Sequence, residues 1–299
     1  MYIEKRKNGK YYLVHSYRED GKVRKIRKYL GLNPPKEETK RKAKEAISNI
    51  IREQSTEVFF FSLTKAQLEK LNRYNDKIKI AHLNAKEWQR FTEDFVYNTN
   101  AIEGSTVRRE EVPGILKKEK GLNKDETETK GVAKAVEFIR GTKEELSLKL
   151  VLKLHKLCFE SSKHFAGKLR DVEVVIRNPK GEVIHQGVPA KEVKPAVQDI
   201  VLWYKENKNK FRPLALAAIV HNQFEHVHPF QDGNGRIGRL LLNYVLIKKR
   251  YPPINITLED RTEYYKALRE YDKLHDIKPM LRLLISQFKK TLKKVTTES

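Results

Sequence analysis

The chain has 299 residues, with 62 Lys plus Arg against 39 Asp plus Glu and a formal net charge of +23. Its 39% hydrophobic and 9% aromatic content excludes wholesale disorder and allows a core in one large domain or two ordinary ones. A single cysteine, Cys158, excludes an intramolecular disulfide and a cysteine-cluster zinc site. The longest plainly apolar run, Leu214 to Val220, is too short to span a membrane, and the basic N-terminus lacks the apolar core of a signal peptide, so a cytoplasmic chain with no membrane partner is expected.

The charge is uneven. Residues 1–50 hold fifteen Lys/Arg against six Asp/Glu, a net of +9. Tyr11 to Arg18 and Val23 to Leu30 read as strands joined by the turn Glu19-Asp20-Gly21-Lys22. Residues 1–33 are therefore expected to form a small basic β-hairpin element, and 34–60 a charged helix or linker. Clustered cations at the start suit a nucleic-acid backbone as partner through residues 1–50. They equally suit a solvated accessory hairpin that docks on something else. Both readings stay open at this point.

From Ser62 onward the pattern turns helical, and residues 61–299 read as a mainly α domain. Thr64 with Gln67 and Thr142 with Glu145 have the spacing of capping boxes, and Thr257 with Asp260 is a weaker third case. Leu146, Leu150, Leu154 and Leu157 make a helical stripe of the kind that packs a core. Ala215 to Glu225 and Ile237 to Lys249 are also helix-compatible. Between Arg170 and Val193 the period drops to two: Val172, Val174 and Ile176, a turn at Asn178-Pro179-Lys180-Gly181, then Val183-Ile184-His185. One hairpin inside a helical domain packs on helices or serves as a flap over a site.

One stretch carries chemistry: His228-Pro229-Phe230-Gln231-Asp232-Gly233-Asn234-Gly235-Arg236-Ile237-Gly238-Arg239. Gly233 and Gly235 permit a tight turn and close approach to a ligand, and the apolar pattern that follows places the loop at a helix N-terminus, an anion cradle. Arg236 and Arg239 fall on one face of the first turn and can fork onto phosphate oxygens. Asp232 is a hard oxygen ligand suited to a magnesium ion that bridges phosphates. His228 suits the removal of a hydroxyl proton near neutral pH. Together these describe a nucleotide-phosphate transfer site. No Gly-rich loop ending in Lys-Ser/Thr occurs, and His221, His226 and His228 lack the spacing of a zinc protease.

These residues resemble the signature of Fic-domain proteins, His-x-Phe-x-Asp/Glu-Gly-Asn-Gly-Arg-x-x-Arg, at all eight fixed positions. The likeness covers roughly residues 90–275, including the Gly167-Lys168-Leu169-Arg170 run, and leaves residues 1–60 outside. It implies a Fic-like helical bundle, its core near 130–275, with one β-hairpin flap. It also implies transfer of AMP from ATP to a hydroxyl side chain of a protein, or of the chain itself. His228 would be the general base and Phe230 the anchor of the loop. Asp232 would hold Mg²⁺ or Mn²⁺. Gly233, Asn234 and Gly235 would cradle phosphate, with Arg236 and Arg239 on the β and γ phosphates. Val175, Ile176, Arg177, Val183, Ile184 and His185 would form the flap that aligns a target segment by strand addition. Gly235 separates the chain from relatives that carry a Lys there and phosphorylate their targets.

Thr99-Asn100-Ala101-Ile102-Glu103-Gly104 resembles the family's inhibitory motif, in a helix expected near 90–104. Its Thr99, Glu103 and Gly104 imply an intramolecular brake in which Glu103 pairs with Arg239, as a carboxylate and guanidinium can bidentately. Tyr264 and Tyr265 resemble a segment whose tyrosine lines the adenine. Asp272 stands eight positions after Tyr264, where relatives often carry Asn. Family members often form homodimers. Two readings compete with adenylylation: removal of AMP from modified protein with Glu103 orienting a water, and a nucleic-acid-binding regulator working through residues 1–50.

Overall fold

The computed structural model describes residues 1–19, 22–53, 55–78, 82–177, 181 and 183–297. Residues 1–71 form one compact unit and residues 72–299 a second.

In the first unit, β1 (Tyr2–Lys5), β2 (Tyr11–Glu19) and β3 (Lys22–Gly31) make an antiparallel sheet in the order β1-β2-β3, followed by α1 (Glu37–Glu53). The sequence points to two of these strands. The third, β1, is four residues long and pairs Ile3 with Leu13 and Lys5 with Tyr11. Leu13 and Leu30 pack on Ala43 and Ile47 of α1, with Tyr11 and Ile26 at the margin. This buried face lets a small sheet hold its register. The expected turn residues Asp20 and Gly21 lie outside the described residues. A second hairpin, β4 (Ser55–Val58) with β5 (Phe61–Thr64), leads into α2 (Lys65–Asn72). Here the expected capping box is in place: Gln67 N–H donates to Thr64 Oγ1, and Thr64 N–H donates to the Gln67 side chain.

The second unit is a helical bundle of α3 (Ala85–Ile102), α4 (Val112–Lys117), α5 (Lys124–Gly141), α6 (Leu148–Phe159), α7 (Val193–Asn207), α8 (Pro213–Val227), α9 (Asn234–Lys248), α10 (Arg261–Leu274) and α11 (Lys278–Thr297). Its β6 (Val175–Arg177) and β7 (Val183–Gln186) form the embedded hairpin, pairing Val175 with Gln186 and Ile176 with His185. The tip residues Asn178 to Lys180 lie outside the described residues. The mainly α class read from the sequence is therefore the observed one.

α8 and α9 are buried on nearly every side, which is why their sequences lack a polar face. α7, α10 and α11 pack on α8, while α3, α5 and α6 pack on α9. Pro213 starts α8 at its first turn, where its missing N–H is harmless. The capping reading at Thr142 needs correction. Thr142 ends α5, and the cap of α6 is Ser147, whose hydroxyl accepts from Leu150 N–H. A hydroxyl with an acid three positions later marks a helix start only when the chain between them is helical, and residues 142–147 are not. No helix among the described residues is long and apolar enough to cross a membrane.

Candidate active site

The loop between α8 and α9 is held from below by aromatic packing. Phe230 is fully buried, and its ring lies on His155 of α6 with centroids 3.8 Å apart. His155 accepts from Gly167 N–H at Nδ1 (2.8 Å), so Nε2 carries the proton and donates to the Asp232 carbonyl (3.1 Å). Burial lowers the His155 imidazole to about 4, so it is neutral and serves as a fixed strut. The Asn234 side chain closes the loop from within, accepting from Phe230 N–H (2.8 Å) and donating to Phe230 carbonyl (2.7 Å). Its amide is thus engaged with the loop's own backbone. Gly233 turns the chain at φ 85°, and a Cβ there would meet the Phe159 ring at 2.4 Å, so both the conformation and the space require glycine.

His228 caps the C-terminus of α8 in the left-handed region, φ 52° and ψ 62°, a strained place for a histidine and common at functional sites. Arg170 holds it there. Its guanidinium donates to the carbonyls of His228 (2.7 Å), Val172 (2.8 Å) and Val188 (2.5 Å), which ties the His228 loop to both ends of the β6–β7 hairpin. Burial, together with the neighbouring His185, lowers the His228 imidazole to about 4. It is therefore neutral and able to take a proton at ordinary pH.

Six residues after His228, α9 begins at Asn234 with no side-chain cap on its first amides. Uncapped amides and the helix dipole make this end attractive to anions. The pocket between them, of about 670 Å³, is lined by His228, Gly233 to Gly235, Arg239, Glu103, Tyr265 and the flap residues Val175, Ile176, Ile184 and His185. A volume of this size suits a nucleotide-sized ligand.

The two arginines are both committed. Arg236 pairs with the buried Glu128 of α5. Arg239, 2% exposed, donates from Nε to Thr99 Oγ1 (2.7 Å), from Nη2 to the Thr99 carbonyl (2.9 Å) and to Glu103 Oε1 (2.7 Å), and from Nη1 towards Tyr264 Oη (3.4 Å). Glu103 is the C-cap of α3 and meets Arg239 through one oxygen rather than a two-point fork. Thr99 supplies the other contacts, and Gly104 continues the turn at φ 89°. Tyr264 is almost fully buried and also contacts His221 Nε2 (3.1 Å), so it lies beneath Arg239. Tyr265 is less buried, with Arg261 over its ring. Asn243 and Tyr244 bond to backbone, at Ile254 and Glu144, and act as struts.

Asp232 is half exposed and carries Lys163, whose ammonium reaches Asp232 Oδ2 at 2.6 Å and Glu128 Oε1 at 2.9 Å. Among the described residues no cluster of three or more His, Cys, Asp or Glu could hold a metal. One carboxylate beside the uncapped N-terminus of α9 nevertheless fits Mg²⁺, which commonly takes one or two protein carboxylates, substrate phosphates and water. His155, Glu128, Lys163 and Arg170 are the site residues that the sequence reading assigned no role. Only Arg170 stood in a run singled out there. Of the expected flap residues, Val175, Ile176, Val183, Ile184 and His185 lie on β6 and β7; the side chain of Arg177 lies outside the described residues.

Residues 145–246 match the Fic/DOC family. The protein adenylyltransferase Fic of Drosophila ananassae is 27% identical over 261 residues, covering 83% of this chain and 50% of that protein. Protein adenylyltransferase fic-1 of Caenorhabditis elegans is 30% identical over 201 residues, covering 63% of this chain and 38% of that one. The chain thus spans half or less of the length of these relatives. Among solved structures, a Fic domain containing signaling protein from Bacteroides thetaiotaomicron superposes with a TM-score of 0.65 at 26% identity, covering 76% of this chain and 94% of that one. Fic-1 from C. elegans gives 0.61 at 25%, covering 87% and 77%. The signature loop thus lies in the part of this chain that is similar to the Fic/DOC family.

Proposed function

We propose that this chain is a protein adenylyltransferase restrained by its own Glu103. The observation that carries the proposal is that a neutral, strained His228 and the uncapped N-terminus of α9 line one pocket. In this reading ATP lies with its phosphates at the α9 amides and its α phosphate towards His228. A hydroxyl of a target protein gives its proton to His228, its oxygen bonds to the α phosphorus, and the bond from that phosphorus to the bridging oxygen breaks, releasing pyrophosphate. The flap, whose apolar side chains are exposed, offers a strand for the target segment. Asp232 is the residue that would hold Mg²⁺, which supplies neutralisation of phosphate charge.

The Glu103–Arg239 contact supports the brake. An arginine spent on Thr99 and Glu103 is not available to a terminal phosphate, and the Glu103 carboxylate in the pocket repels one. Incubation with ATP labelled in its α phosphate tests the proposal: Glu103→Gly should self-label and His228→Ala in that background should not. A second reading, removal of AMP from a modified protein, draws on the same carboxylate, which lines the pocket and could orient a water. In that case Glu103→Gly loses AMP release instead of gaining transfer.

A further inference from the structure

The β6–β7 hairpin has no core of its own. Val175, Ile176, Val183 and Ile184 are all more than a third exposed, and a two-stranded hairpin does not hold a position in water unaided. Its placement therefore depends on polar pins. Arg170 supplies one at the base, through Val172 and Val188. Another is nearer the catalytic residue. Asp272 of α10 receives His185 Nδ1 from β7 on Oδ2 and His226 Nδ1 from α8 on Oδ1, each at 2.9 Å. His226 lies two residues before His228, and the His185 ring stands 5.4 Å from the His228 ring.

The chemistry of Asp272 explains why an acid occupies this place. Burial opposes its ionisation, but the hydrogen bonds from the two histidines hold the carboxyl down at about 2. An ionised carboxylate only accepts, so both Nδ1 atoms must carry protons. This leaves His185 Nε2 as the ring's other nitrogen, buried and without a hydrogen-bond partner. An asparagine would need opposite tautomers of the two histidines, one donating to its oxygen and the other accepting from its N–H₂.

We infer that Asp272 is a positioning residue that latches the flap to the catalytic loop, fixing the distance between the strand that receives the target and His228. What the flap receives rests on the adenylyltransferase reading; the latch itself does not. Asp272 acts through His185 and His226, and in this state it is engaged by them rather than by a base.

The test is hydrogen exchange on the full-length chain, with imidazole nitrogen NMR beside it. In Asp272→Ala the flap amides of Val175, Ile176 and Val183 to Gln186 should exchange at least about tenfold faster, since two charge-assisted hydrogen bonds are lost. Amides of α9 should be unchanged, which shows that the bundle is folded. The Nδ1–H signal of His185 should move in both Asp272→Ala and Asp272→Asn, and Asp272→Glu should restore flap protection in part. Unchanged flap exchange and an unchanged His185 signal in Asp272→Ala would overturn the latch. In the Glu103→Gly background, Asp272→Ala should also lower self-labelling at least about tenfold with ATP affinity retained, as misplacement of reacting groups predicts. Undiminished labelling would overturn the positioning role. If Glu103→Gly never labels while the flap responds as stated, the adenylyltransferase reading fails and the latch stands.

Discussion

The Glu103 carboxylate occupies the space that a side chain at Gly235 would fill. A Cβ built at position 235 would lie 2.3 Å from Glu103 Oε1 and 3.0 Å from Arg239 Nη1. The glycine of the proposed phosphate cradle is thus also the seat of the intramolecular carboxylate.

This juxtaposition predicts a coupling. Gly235→Ala should push the flexible Glu103 carboxylate from its seat and destabilise the native chain by about 1 kcal/mol. The same change should be nearly neutral in Glu103→Gly, where the colliding carboxylate is gone. Chemical denaturation of the four proteins in a double-mutant cycle measures the difference. Equal costs in both backgrounds would place Glu103 elsewhere in solution.

Phe230 should be the most sensitive position of the loop. Its ring is fully buried on His155, so Phe230→Ala should cost about 3–5 kcal/mol in denaturant unfolding. It should also abolish nucleotide binding, because the loop loses its anchor. A variant with native stability would contradict this packing.

Four buried groups set opposing pH dependences. Burial holds His155 and His228 to about 4 and His221 to about 3, against an ordinary 6.5. Between those values the unfolded chain binds more protons, so these groups make stability fall as the pH drops below 6.5. Glu225 runs the other way. Burial raises its carboxyl to about 8 against the pull of Arg239, so the folded chain retains a proton that the unfolded one releases. Its contribution is lost as the pH rises towards 8. Thermal melts of the native chain should therefore decline on both sides of pH 6.5. Glu225→Gln should flatten the side between about pH 6.5 and 8 and steepen the decline between pH 6.5 and 4.5, where the buried carboxyl no longer opposes the histidines. An alkaline decline that persists in Glu225→Gln would assign it to another group.

Lys163 holds the carboxylate proposed for the metal. Lys163→Met should lower the Mn²⁺ concentration at which a nucleotide binds, since the metal no longer displaces an ammonium from Asp232. Titration calorimetry with a non-hydrolysable ATP analogue reads this directly. A raised Mn²⁺ requirement would instead make Lys163 a phosphate ligand.

The signature loop was legible because its chemistry is local: glycines, a base and cations within twelve residues of chain, opening a helix. Glu103 was legible only through its likeness to a known motif, since 136 residues separate it from Arg239. The partners that the reading assigned no role are the ones assembled by tertiary packing. Glu128 and Lys163 neutralise Arg236 and Asp232 from α5 and from the segment after α6, and nothing in their own neighbourhoods marks them. His155 reads as one more residue of a leucine stripe until the Phe230 ring is placed on it. The cap at Ser147 was misassigned to Thr142 because both have the right residue type, and only the end of α5 distinguishes them. The side-chain amide of Asn234 is engaged with Phe230 across the loop, a contact between near neighbours that the turn itself creates.

The excess charge of residues 1–50 makes its own prediction. If that unit grips nucleic acid, the full chain should be retained on duplex DNA at low salt, with affinity falling steeply as salt rises. Deletion of residues 1–50 should remove the retention. Failure to bind at low salt would end that reading and leave the helical unit's chemistry untouched.

The most direct measurement of the central claim is self-labelling by ATP carrying the label in its α phosphate, compared between the native chain, Glu103→Gly, and Glu103→Gly with His228→Ala. Release of Arg239 predicts at least about a tenfold rise in Glu103→Gly, the effect expected from returning one charge-assisted phosphate contact. The added His228→Ala should abolish the label. A Glu103→Gly protein that binds ATP but labels no faster than the native chain would contradict the account.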